Sequence, residues 1–115
     1  MAKYILLLHE DPAEFAHLSP AEMQAIIEKY SAWGRALAAV GKMHSGLKLG
    51  DNGGTHLRRR GDQVTVTDGP YAEAKDVIGG LYVVEAANDE EAQAIAAECP
   101  HASHGWIEIR NVEIG

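Results

Sequence analysis

The sequence predicts an α+β fold on the ferredoxin-like βαββαβ plan, with a β-hairpin inserted at its centre. Three observations carry that expectation: short apolar runs of strand length, a capped helical stripe after the first and after a later one, and a two-residue turn flanked by alternating strands. The 115 residues read as one domain, 1–115, long enough for a single core.

Lys3 to His9 is continuously apolar and bounded by Glu10-Asp11-Pro12, which suits a central strand buried on both faces. Leu18-Ser19-Pro20-Ala21-Glu22-Met23 then carries several helix-start signals together: Ser19 as N-cap, Pro20 at the first turn, Glu22 to close a capping box, and Leu18 with Met23 as a staple. Met23, Ile26, Ile27, Tyr30, Trp33, Leu37 and Val40 recur at three and four, and Gly41 follows, so the first helix is expected from about Pro20 to Val40. Gly34 within it points to close packing or a kink.

Met43 to Leu49 reads as a second strand, followed by the turn formers Gly50-Asp51-Asn52-Gly53-Gly54. Thr55 to Arg60 and Gln63 to Asp68 flank Gly61-Asp62, a pair that accepts a primed turn. Centring that turn pairs Leu57 with Val66, Arg59 with Val64, His56 with Thr67 and Arg58 with Thr65. Gly79 to Ala86 is a further apolar strand. Asn88-Asp89-Glu90-Glu91 caps a second helix whose inner side carries Ala92, Ile95, Ala96 and Cys99, and Pro100 ends it. Gly105 to Ile114 is the last strand.

Right-handed crossovers order the four main strands fourth, first, third, second. The two central ones are apolar on both alternations, yet two helices cover only one face of a sheet. The other face needs a cover, most simply the same sheet of a second subunit, so a homodimer is expected.

Composition narrows the partners. Asp and Glu outnumber Lys and Arg 17 to 10, and a formal charge of −7 repels nucleic acid and anionic bilayers alike. Arg58-Arg59-Arg60 sits in the hairpin, where alternate residues point to opposite faces, so it forms no continuous basic patch. One cysteine makes no internal disulfide, and Tyr4 to Leu8 is too short for a membrane span or signal core; a reducing cytoplasm is the simplest compartment. No G-x-G-x-x-G, P-loop or metal motif is present, so no cofactor is expected. His101 and His104 have the spacing of half a metal site without visible companions, and no metal is expected either.

The expected topology brings the end of the first strand beside the starts of the Gly79 strand and the last strand. His9, the turn Asp68-Gly69-Pro70-Tyr71, His101 and His104 should therefore share one rim, with His44 at the opposite end. Imidazole, carboxylate and phenol together support proton transfer. Each also has a structural role open to it: Asp68 as a turn former, His9 as a strand end bonded to backbone, the C-terminal histidines as solvated loop residues, and Cys99 as a small core residue. Trp106, Glu108 and Arg110 share one face of the last strand, while Ile107 and Ile109 take the other, under the helices. The polar trio is then either an interface ion pair or the floor of a pocket.

Val66-Thr67-Asp68-Gly69-Pro70-Tyr71-Ala72-Glu73-Ala74-Lys75, then Gly79-Gly80-Leu81-Tyr82-Val83-Val84-Glu85, Cys99-Pro100 and Gly105-Trp106-Ile107-Glu108-Ile109-Arg110-Asn111-Val112, resemble the DGPF group of YCII-related proteins. The D-G-P-F signature reads D-G-P-Y here. The resemblance runs from Lys3 to about Val112 and implies a dimeric α+β barrel. YCII-like relatives carry an active pair made of a histidine on the first helix and an aspartate near the end of the second. This chain departs from that pattern, with no histidine between Pro20 and Val40 and with Cys99-Pro100-His101 where relatives have Asp-Pro and an aromatic.

Two functions follow. In the first, a homodimer binds a small polar or aromatic metabolite in an inter-subunit cleft and performs cofactor-free acid–base or lyase-type chemistry. His9 would move the proton, Asp68 orient it, Tyr71 donate a hydrogen bond, His101 and His104 line the site, and Arg110 anchor an anionic group. In the second, implied by the association of DGPF relatives with alternative sigma factors, the chain is a non-enzymatic regulatory module that meets its partner through the Arg58–Arg60 hairpin.

Overall fold

The computed structural model describes residues 1–69 and 76–115. Its strands are β1 (Ala2–Glu10), β2 (Met43–Lys48), β3 (Thr55–Arg60), β4 (Gln63–Asp68), β5 (Val77–Ala86) and β6 (Trp106–Asn111); its helices are α1 (Pro20–Ala39) and α2 (Asp89–Glu98). Short 3-10 turns at Pro12–Glu14 and Pro100–Ser103 follow β1 and α2.

Local chemistry accounts for the element ends. The Ser19 hydroxyl accepts from the Glu22 amide at 3.1 Å, and the Glu22 carboxylate accepts from the Ser19 amide at 3.0 Å, completing the capping box. Those bonds also hold the Glu22 carboxyl below the usual range. Gly41, at φ +75°, ends α1 in the left-handed region. The Asn88 side chain accepts from the Glu91 amide at 2.9 Å to start α2.

The main sheet runs β2-β5-β1-β6, all antiparallel, which is the order expected from handedness. β3 and β4 form a separate hairpin with Leu57 opposite Val66 and Arg59 opposite Val64. Gly61, at φ +56°, takes the glycine-first position of a type II′ turn.

Period-two alternation divides the main sheet into two faces. Tyr4, Leu6, Leu8 and Glu10 of β1 lie buried on the helix side with Val84 and Ala86 of β5. Ala92, Ile95 and Ala96 of α2 complete that core, and Ile107 and Ile109 pack against it. Ile5, Leu7, His9, Leu81, Val83, Trp106, Glu108 and Arg110 take the other face. The ladder breaks once between β1 and β5: Leu8 pairs with Gly80 but His9 with Ile78, so Gly79 is an extra residue in a β-bulge.

Candidate functional site

Every residue of α1 keeps some exposure, although Tyr30, Trp33 and Leu37 touch the core. The helix stands over a half-open cavity of 840 Å³ between itself and the β2, β5 and β1 strands, within the size range of small-molecule sites. Leu8, Phe15, Ile26, Met43 and Tyr82 make its walls apolar and aromatic. Three polar side chains enter from different elements: Glu10 at the end of β1, Tyr30 in mid α1, and His101 in the turn after α2. Arg35 and Lys48 also line it, and Lys48 pairs with Asp51 at 2.9 Å.

Hydrogen bonds set the proton positions. His101 is 1% exposed, and its Nε2 lies 2.8 Å from the backbone carbonyl of His9. A carbonyl only accepts, so Nε2 carries the hydrogen. In the neutral ring Nδ1 is then the acceptor, and the Tyr30 hydroxyl, 2.8 Å away, donates to it. Burial, reinforced by nearby Cys99 and the Glu10 carboxylate, raises the Tyr30 pKa well above its ordinary value, so the phenol keeps its proton. His104 stacks against Tyr30, ring centroids 6.4 Å apart, and tilts against Phe15 at 5.7 Å.

Glu10 is 8% exposed, yet no hydrogen bond reaches its carboxylate among the described residues. The carboxylate rests on Gly79, where any Cβ would collide with it. Gly80 similarly admits the Leu47 carbonyl. The adjacent glycines of β5 thus seat an acid on one side and a strand on the other. Cys99 is buried, which pushes its thiol pKa up and leaves it a poor nucleophile.

The ends of β1, β5 and β6 meet at the backbone, because His9 pairs with Ile78 on one side and Trp106 on the other. Side-chain alternation then splits the expected rim. His101 and His104 belong to the helix side, whereas His9 and Arg110 lie on the open sheet face. There the His9 ring stacks on Trp106 with centroids 3.8 Å apart and planes 7° from parallel, and its Nε2 is 2.9 Å from Glu108 Oε1. Glu108 also accepts from Arg110 at 3.3 Å, and Trp106 Nε1 donates to Asp76 at 2.9 Å. The bond to His9, with help from Arg110, holds the Glu108 carboxyl below its usual range. The carboxylate beside His9 is therefore Glu108; Asp68 ends β4 opposite Thr55, and no bond between Asp68 and His9 is present among the described residues. Pro70 and Tyr71 lie outside the described residues.

Residue type alone does not mark Glu10 or Tyr30 as site residues. Glu10 had one available signal, since extending the alternation of Leu6 and Leu8 by two places an acid on the core face, where unpaired acids are rare. Tyr30 was one member of the α1 stripe, and a stripe looks the same over a core and over a cavity. Tyr30 of α1 and His101 of the turn after α2 bond each other at 2.8 Å, a pairing not expected from the sequence. Among the described residues no group of three or more His, Cys, Asp or Glu is placed to hold a metal ion, and no helix is long and apolar enough to cross a membrane.

Fold and site define a ferredoxin-like α+β protein with an apolar cavity between its first helix and its sheet, closed at the floor by an acid, a phenol and an imidazole. The model of the YCII-related domain matches residues 2–113, and the chain belongs to the YCII-related family. It is 28% identical over 110 residues to the uncharacterized protein R00369 of Rhizobium meliloti (strain 1021), covering 93% of this chain and 89% of that one. A solved structure of 5-chloro-2-hydroxyhydroquinone dehydrochlorinase from Burkholderia phenoliruptrix AC1100, in complex with 2,5-dihydroxybenzoquinone, is similar with a TM-score of 0.48 and 17% identity over 98% of this chain and 95% of that one.

Proposed function

We propose that this YCII-related chain binds a small metabolite in the cavity between α1 and the sheet and performs acid–base, lyase-type proton transfer there. The observation that carries the reading is the convergence of Glu10, Tyr30 and His101, from three separate elements, on one apolar cavity. Glu10 is the group that accepts or returns a proton. Tyr30, its hydrogen directed to His101, offers its phenol oxygen as an acceptor that orients a substrate hydroxyl or ammonium group beside Glu10, and His101 is a positioning residue fixed by the His9 carbonyl. The cavity lies within one chain, so the proposed site differs from an inter-subunit cleft. A second copy has its place on the open sheet face, where Leu47, Ile78 and Trp106 are 63%, 39% and 49% exposed around Leu7, Leu81 and Val83. A metabolite screen by thermal shift, followed by turnover assays on the hits, tests the reading. Glu10→Gln should retain binding of a true substrate and lose about 100-fold or more in turnover; unchanged turnover would remove Glu10 from the chemistry.

One observation favours a second reading. The β3–β4 hairpin exposes Leu57, Val64 and Val66 at 65%, 45% and 59%, a surface suited to meeting another protein. In that reading the chain is a regulatory module that acts through the hairpin, and variants such as Leu57→Ser abolish partner capture without touching the cavity.

A further inference from the structure

The polarity of the cavity floor specifies more than an acid and a phenol. Resting on the acid–base reading above, we infer that the ligand enters with a hydrogen-bond donor leading, a hydroxyl or ammonium group on an apolar, ring-sized body.

The protons at the cavity floor are already committed. In the neutral His101 ring, the His9 carbonyl takes the Nε2 hydrogen and Nδ1 accepts the only hydrogen of the Tyr30 hydroxyl. The phenol oxygen therefore faces the cavity as an acceptor. Glu10, when ionised, is acceptor-only, and no donor among the described residues satisfies it. Among the described residues no deeply buried side-chain oxygen or nitrogen lacks a partner, so the Glu10 oxygens are accessible from the cavity they line. The floor thus presents two acceptors, walled by Leu8, Phe15 and Tyr82. A ligand carbonyl or carboxylate placed there would meet lone pairs on both sides and remain unsatisfied after leaving water. A donor satisfies both.

Arg35, exposed on α1, also lines the cavity, whereas Lys48, beside Gly80 at the Glu10 end of the sheet, is matched by Asp51 at 2.9 Å. An acceptor elsewhere on the ligand can meet Arg35 while its donor sits on Glu10 and Tyr30.

Four probes of similar size separate the cases in the intact protein: 2-phenylethanol, 2-phenylethylamine, acetophenone and ethylbenzene, titrated against the amide and methyl resonances of the cavity walls. The alcohol or the amine should bind at least tenfold more tightly than both acetophenone and ethylbenzene; preference for the amine identifies an ammonium ligand and preference for the alcohol a hydroxylic one. Glu10→Gln supplies an amide donor, so it should erase most of that advantage and tighten acetophenone severalfold, while Tyr30→Phe should weaken the donor probes and leave ethylbenzene unchanged. Acetophenone binding to the unmodified protein as tightly as the alcohol and amine would overturn the donor rule while leaving a cavity that binds ligands. Failure of all four probes at millimolar concentration, with spectra of a folded protein, would overturn the cavity reading itself.

Discussion

Gly105 shows how little room the buried bonds leave. A Cβ there would run into the His9 carbonyl oxygen and into His101 Nε2, the two atoms that bond each other. Gly105→Ala should therefore cost about 1–3 kcal/mol in urea unfolding, as for other overpacked sites, and the His101 ring should shift in NMR spectra; an unperturbed variant would mean that the contact relaxes freely. On the open face the relevant group is Glu108, whose carboxyl is held below its ordinary value of 4.5 first by His9 and then by Arg110. A group with a depressed folded value contributes stability above its unfolded pKa and loses it as pH falls through the folded one. The contribution is thus present above 4.5 and lost on acidification below it. In His9→Ala, carboxyl NMR should find the Glu108 midpoint moved up towards 4.5; an unmoved midpoint would show that His9 is not its main partner. Individual roles were the least legible part of the sequence. His9 and Glu10 are neighbours, and alternation sends one to the sheet face and the other to the cavity, a difference that residue type does not reveal.

Elements were far more legible, because their signals are local. The Ser19–Glu22 box, Gly41, Asn88 and the Gly61-Asp62 turn each act within a few residues, and every one is found in its expected role. The turn alone set the four cross-strand pairs of the hairpin. What local signals do not supply is tertiary support. β3 and β4 pair with each other in a two-stranded sheet whose Leu57, Val64 and Val66 stay exposed, and two-stranded hairpins are marginally stable in water. Hydrogen exchange should therefore be at least about tenfold faster for the β3 and β4 amides than for those of β1 and β5. Equal protection would mean that a partner covers the hairpin in solution.

At the scale of the molecule, strand order followed from handedness, while a second cover for the sheet remains the expectation raised by two central strands that are apolar on both alternations. The stand-off of α1 did not follow from either, since it depends on how the helix seats against β2 and β5. The open face of the main sheet predicts a dimer at tens of micromolar by sedimentation equilibrium, burying about 1,200–2,000 Å² or more in total. Leu81 is central on that face, paired with Leu7 and Leu47. Leu81→Glu should yield a monomer with an unchanged far-ultraviolet spectrum, and a wild-type monomer would transfer the role of this face to another partner.

Gly79 also bears on chain length. Removing it would let Leu8, His9 and Glu10 face Gly80, Ile78 and Val77 in an unbroken ladder, at the expense of one bond from the Leu49 amide to the Gly79 carbonyl. By the criterion of the sheet, the chain is one residue too long at this point. The surplus residue is the one on which the Glu10 carboxylate rests. A single-residue deletion is ordinarily among the most damaging changes to a strand, yet here it should leave thermal unfolding within a few degrees of wild type while displacing the acid and weakening ligand binding. Stability and the proposed ligand binding should therefore be separable at this position by shortening the chain rather than by exchanging a side chain.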